Sequence, residues 1–237
     1  MGLVPDRFAR RHTEWRQDWR VIPSKYPPIH LFEDLTNDPA EWQLLADLES
    51  AVNPRVRQEI GDISLVPPEM RVRSTAVMAP FVHLNPRGSR FSDGRYGAYY
   101  AAEHLETAIR ETVHHLEARL RAGRAAPDNM DQRVYVGAIE GHFVDLTSDP
   151  EAAAPMMAPD DYSQSQRFGA QVRATGADGI LFESVRHPGH RALAVFIPPR
   201  VSPPLQERHL RYDWDGRRIR RYFDYATDEW HDLPALD

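Results

Sequence analysis

The chain has 237 residues, 41% hydrophobic and 27% charged, which matches ordinary globular proteins and excludes disordered or fibrous classes. Its formal net charge is −6 and its basic residues are dispersed, which argues against duplex nucleic acid as a direct partner, because that affinity rests on a broad basic surface. The absence of cysteine excludes disulfides, thiolate metal sites and a thiol nucleophile together.

No run approaches the roughly 20 apolar residues that span a bilayer, and the first twenty residues are too charged for a signal peptide. No membrane association and a cytoplasmic location are therefore expected. This length supports one substantial core, so one domain over residues 1–237 is expected.

In chain order, Asp18 to Ile22 reads as a short strand, interrupted by Pro23, Pro27 and Pro28 before a second apolar run, Ile29 to Phe32. Leu44, Leu45, Leu48 and Val52 recur at helical spacing, predicting a helix within 39–59 that Asn53-Pro54 punctuates. Ser74 to Leu84 is apolar enough for a strand, with Pro80 placing it at an edge or bulge. The stretch 85–94 is dense in turn residues. Tyr96 to Ala102 has strand-like aromatic content and leads into a helix, whose apolar stripe is Leu105, Ala108, Ile109, Val113, Leu116 and Leu120.

Arg133 to Leu146 predicts a strand pair or one long bent strand, with Gly137 and Gly141 as candidate bulges. A loop over 150–161 and a helix from Tyr162 to Thr175, ending near Gly176, follow. Gly179 to Glu183 and Ala192 to Pro198 read as strands flanking the loop 184–190. Asp215-Gly216 signals a hairpin in the tail. Strands outnumber helices without regular βαβ alternation, so the fold class is α+β.

Standard nucleotide signatures are absent: no GxxxxGK[ST], no GxGxxG after a strand and no GxSxG. Bound phosphate would need arginine forks, and Arg20, Arg71, Arg73, Arg87, Arg90 and Arg95 lie on or beside these segments. The informative stretch is GSRFSDGRYGAYYAAEHLETAIRE, residues 88–111, which places Arg90, Tyr100 and Glu111 at intervals of 10 and 11 residues.

Periodicity alone makes Glu111 a solvated helix residue, because it lies off the apolar stripe. Tyr99 and Tyr100 alternate across a strand, so one faces the core and one a cleft. Ser184 alone reads as a turn cap. His187 with His190, and His114 with His115, lack a third ligand, so no metal site is expected. Arg217, Arg218, Arg220 and Arg221 read as a solvated edge, and the aromatics near 212–230 as hairpin packing rather than a base-stacking platform.

The 88–111 stretch resembles the RES-domain pattern: a glycine-rich turn bearing arginine and an aromatic, a strand bearing tyrosine, then a helix bearing glutamate. The family's serine after a glycine-led strand is matched by Ser184 in GILFESVRHPGHRALAVF, and its early-strand arginine by Arg20, with Arg73 as the alternative. The resemblance covers roughly residues 18–200. It implies an ADP-ribosyltransferase-like core of short mixed strands with flanking helices. That core would span about 70–200, with a first strand near 18–22, an N-terminal elaboration at 23–69 and a C-terminal hairpin at 205–237.

The resemblance further implies an enzyme that breaks the nicotinamide–ribose bond of NAD by hydrolysis or phosphorolysis. NAD would then be a substrate rather than a resident cofactor, and inorganic phosphate a candidate co-substrate. Protein ADP-ribosylation and a non-catalytic binding module are the alternatives. The partners implied are an Xre-like antitoxin and a second copy of the chain. On this reading Arg20 and Arg90 pair with the pyrophosphate and Tyr100 contacts nicotinamide or ribose. Glu111 stabilises the developing ribosyl cation, and Ser184 donates to ribose or phosphate.

Overall fold

The computed structural model of the chain describes residues 5–25, 38, 41, 42, 44 and 61–234. The expected apolar run Ile29 to Phe32, and the expected helix at 39–59 apart from residues 41, 42 and 44, lie outside the described residues. The strands and longer helices are β1 (Arg10–Pro23), α1 (Thr75–Val82), β2 (Tyr99–Ala102), α2 (Leu105–Ala122), β3 (Asp128–Asp145), α3 (Ser163–Ala174), β4 (Gly179–Glu183), β5 (Arg191–Val195), β6 (Leu205–Trp214), β7 (Ile219–Asp224) and β8 (Glu229–Asp232). The fold is α+β.

Strand β3 is the spine. One edge pairs antiparallel with β1 along almost its whole length. The other edge is shared: residues 128–136 pair antiparallel with β6, and residues 143–145 pair parallel with β4. From β4 the sheet continues through β5 to β2, which touches β1 again at Trp19 opposite Ala102, closing a ring of five strands. From β6 it extends through β7 to β8, so the tail hairpin gains a third strand.

Side-chain alternation along the short strands assigns the helices to faces. Tyr99 and Ala101 of β2, Leu181 of β4 and Leu193 and Val195 of β5 pack with α1. On the opposite face Ile180, Phe182, Ala192 and Ala194 pack with Phe168 and Val172 of α3, while Ala102 and Val21 pack with Ala108 and Ile109 of α2.

Four expectations are corrected. Residues 75–82 form α1 rather than a strand, with Val77, Met78, Phe81 and Val82 buried at helical spacing and Pro80 inside. Periodicity cannot separate strand from helix in so short an apolar run. Pro80 removes one backbone donor, while Met78 and His83 still donate to Ser74 and Ala79. Residues 150–156, expected as loop, are helical turns: Asp149 accepts from Ala152 N at 3.0 Å and Pro150 occupies the first turn. The strand near 18–22 extends over residues 10–23. Gly137 and Gly141 do not carry bulges, because the extra residues lie on the partner strands, one in β1 between Trp15 and Asp18 and one in β6. Those glycines instead admit carboxylates: a Cβ at either would stand 2.8 Å from Oδ2 of Asp18 or of Asp178.

The β1 bulge reverses which face each later residue presents. Trp15 packs with α1, whereas Trp19, four residues on, packs against the α2 side. Asp18 is thereby fully buried beside Tyr99, whose hydroxyl donates to its Oδ1 at 3.3 Å, while Oδ2 has no partner. Burial raises the Asp18 carboxyl to about 6, against the opposing effects of Tyr99 and Arg20. The folded chain therefore holds this proton more tightly than the unfolded chain. Between the ordinary carboxylate value near 3.8 and about 6, the Asp18 contribution to stability declines as pH rises, and above 6 its full cost is present. Asp18→Asn is expected to raise stability at pH 7 by on the order of 2 kcal/mol, a gain that vanishes below pH ~4. Urea melts of both proteins at pH 4 and 7 check this; a gain of equal size at both values would sink the assignment.

Candidate functional site

The site forms where the C-terminal end of β4 meets α2 and the loop preceding β2. Ser184 follows β4 and is buried. Its Oγ accepts from the backbone N–H groups of Arg186 at 3.2 Å and His187 at 3.1 Å. A hydroxyl has one donor and two acceptor lone pairs, so with both lone pairs used its proton points to Glu111 Oε1, 2.6 Å away. Ser184 is thus both the turn cap that periodicity suggests and a clamp on Glu111. Both lone pairs of its oxygen accept backbone N–H groups, so it is placed as a donor to Glu111 and not as an attacking oxygen.

Tyr99 faces the core with no exposed surface, while Tyr100 faces the site. The Tyr100 hydroxyl accepts from Phe91 N at 2.9 Å and bonds Ser89 Oγ at 2.8 Å, tying β2 to the loop that carries Arg90. Burial raises the Tyr100 phenol to about 12, so it stays protonated. Helix α3 holds the same loop from outside through Gln166 Nε2, which donates to Ser89 O at 3.1 Å.

Arg90 is buried. Its Nη1 donates to Met156 O at 3.2 Å and Ala158 O at 2.9 Å, and its guanidinium lies 4.6 Å above the Tyr162 ring. Burial lowers its proton affinity, while Tyr162 and Glu111 act to restore it. A guanidinium so placed remains cationic at neutral pH.

Sequence reasoning missed Arg186, His114 and Tyr162 as members of this cluster. Arg186 Nη2 donates to Pro159 O at 2.6 Å, Asp160 Oδ1 at 3.1 Å and His114 Nε2 at 2.7 Å. Burial, then Arg186 and His115, push His114 down to about 4, so at neutral pH it is the acceptor for Arg186. The string Ser184-Val185-Arg186-His187 was the available signal: a second arginine two residues past the serine.

The structure brings Arg90, Tyr100, Glu111 and Ser184 together. Arg20 is placed elsewhere: after the β1 bulge it lies over the Tyr99 ring at 4.5 Å, on the face opposite Tyr100, and Nη1 donates to Tyr100 O at 3.1 Å. Arg73, the alternative, lines a cavity of about 740 Å³ with His12, Trp15 and Arg200, which contains no member of the Glu111 cluster. A second cleft, of about 390 Å³, adjoins that cluster through His114 and Arg186. Although smaller, it is the one next to the reactive groups. His187 and His190 stack face to face with ring centroids 3.6 Å apart, rather than converging on a common point. Among the described residues no helix is long and apolar enough to cross a membrane.

A glutamate held by a serine, with Arg90 and Tyr100 at a loop–strand–helix junction, brings together four of the residues on which the resemblance to RES domains rests. The RES domain profile matches residues 68–215, and the chain belongs to the RES domain family. It is 30% identical over 214 residues to the uncharacterized protein y4oC of Sinorhizobium fredii (strain NBRC 101917 / NGR234), covering 89% of this chain and 87% of that one. Among solved structures it is similar to a chain of the M. tuberculosis MbcT-MbcA toxin–antitoxin complex, at 14% identity and a TM-score of 0.48, covering 86% of this chain and 87% of that one.

Proposed function

We propose that this chain cleaves the bond between nicotinamide and ribose of NAD, with water or inorganic phosphate as acceptor. The observation that carries this reading is the Glu111 carboxylate, oriented by Ser184 at 2.6 Å and lying among the buried cations Arg90 and Arg186. As neutral nicotinamide departs, positive charge develops on the ribose, and a fixed carboxylate stabilises it. Ser184 occupies Oε1, which leaves Oε2 for a ribose hydroxyl or the attacking group. The nearby guanidiniums supply charge to hold the dinucleotide's phosphates, and Tyr100 fixes the loop that presents Arg90. Family membership supports a place for the chain as the toxin of a toxin–antitoxin pair, held inactive by a protein antitoxin.

The acceptor is tested with NAD labelled in its adenylate phosphate. Labelled ADP-ribose is expected without phosphate present, and ADP-ribose 1″-phosphate when phosphate is added and used. Label retained on a protein band would contradict this reading and favour protein ADP-ribosylation; unconsumed NAD would favour a binding module.

A further inference from the structure

The cleft of about 390 Å³ beside Glu111 is walled by four arginines, Arg110, Arg121, Arg186 and Arg218, against one carboxylate lining residue, Glu117. Arg110 is tied to Glu106 and Arg121 to Glu117 on α2 itself. Arg186 is more than nine-tenths buried and is tied through Nη2 to Asp160 Oδ1 at 3.1 Å, whereas Arg218 has no ion pair with a carboxylate among the described residues. The lining carries four guanidiniums against one carboxylate, an excess of positive charge that an anion held in the cleft would offset. Arg186 and Arg218 are brought to one cleft from opposite sides, one from the turn after β4 and the other from the β6–β7 connection.

This is also where the four tail arginines part company. Arg220 pairs with Asp215 and Arg221 with Asp213, both exposed on β7, which is an inner strand between β6 and β8 rather than the expected edge. Arg218 instead lines the cleft, and Ile219 and Leu233 add an apolar wall. These wall residues lie beyond residue 215, where the family match ends, so this side of the cleft belongs to this chain's own C-terminal strands.

We infer that the cleft between α2 and the β6–β7 connection is a phosphoryl-binding subsite, in which Arg186 and Arg218 grip one phosphate group from two sides. The inference rests on the NAD-cleaving reading for its purpose but not for its chemistry, because planar guanidinium forks match phosphate oxygens whatever molecule carries them. The phosphoryl group comes either from the dinucleotide's diphosphate or from free phosphate acting as acceptor. The cleft is at the small end of ligand pockets, suited to part of a dinucleotide and not the whole.

The test uses the full chain, with inorganic pyrophosphate and inorganic phosphate as titrated probes, and compares wild type with Arg218→Gln, Arg218→Lys and the exposed control Arg220→Gln. Arg218→Gln is expected to weaken binding of pyrophosphate or phosphate by about ten- to hundredfold, Arg218→Lys by less, and Arg220→Gln not at all. A rise in KM for NAD alone in Arg218→Gln assigns the subsite to the dinucleotide, and a rise in KM for phosphate alone assigns it to the acceptor. Anion binding that is lost in Arg218→Gln while the wild type consumes no NAD keeps the subsite and overturns the NAD reading. Unchanged binding of both probes in folded Arg218→Gln overturns the subsite, whatever the enzyme does with NAD.

Discussion

Glu111→Gln is expected to leave the fold intact and to reduce nicotinamide release from NAD by about 10²–10⁴-fold. Glutamine keeps an oxygen that can accept from Ser184 Oγ, so the contact at 2.6 Å and the turn after β4 need not be disturbed. What it removes is the negative charge set against a ribosyl cation, and that charge matters mainly in the transition state. The loss should therefore appear in kcat more than in KM for NAD. A melting midpoint within a few degrees of wild type, together with turnover near wild type, would show that the Glu111 charge plays no part in the chemistry.

Gly169→Ala is expected to destabilise the chain by about 2 kcal/mol net and to lower its melting midpoint by roughly 4–8 °C. Gly169 lies in the middle of α3, where alanine would ordinarily gain about 1 kcal/mol of helix propensity. Here, however, a Cβ would stand 2.2 Å from Phe91 O and 2.8 Å from Phe91 C, and backbone cannot move aside as a flexible side chain can. Relief requires α3 to separate from the loop 88–92. That loop carries Arg90, is held by Gln166 of α3, and buries Phe91 edge-on against Phe182 at 5.0 Å. Turnover should accordingly drop along with stability, which calorimetry and a rate measurement on one preparation would reveal. An unchanged midpoint would mean that helix and loop are not packed this closely.

Local pattern was enough to read the elements that surround the site. The apolar stripe of α2, the Tyr99/Tyr100 alternation and the glycine that ends α3 all act over a few residues, so they show in the sequence as they act in the fold. Glu111 is the instructive exception, because periodicity gives it to solvent and only the 88–111 motif gives it a purpose. Its partner Ser184 is 73 residues away and becomes its neighbour only because β4, which packs under α3, ends beside α2. Arg186 and His114 escaped for the same reason. Arg20 stands on the face opposite Tyr100 because of a single extra residue in β1: without that bulge the strand's alternation is continuous, with it every later side chain changes face, and nothing in the local composition announces it. At 75–82 an apolar octet containing proline was compatible with two structures, and burial against the sheet selected the helix.

The most direct test of the central claim is the release of free nicotinamide from NAD by the purified wild-type chain, followed over time with and without inorganic phosphate. Stoichiometric nicotinamide and ADP-ribose, or ADP-ribose 1″-phosphate in its place when phosphate is present, is the predicted result. Intact NAD after prolonged incubation of folded protein in both conditions would contradict it.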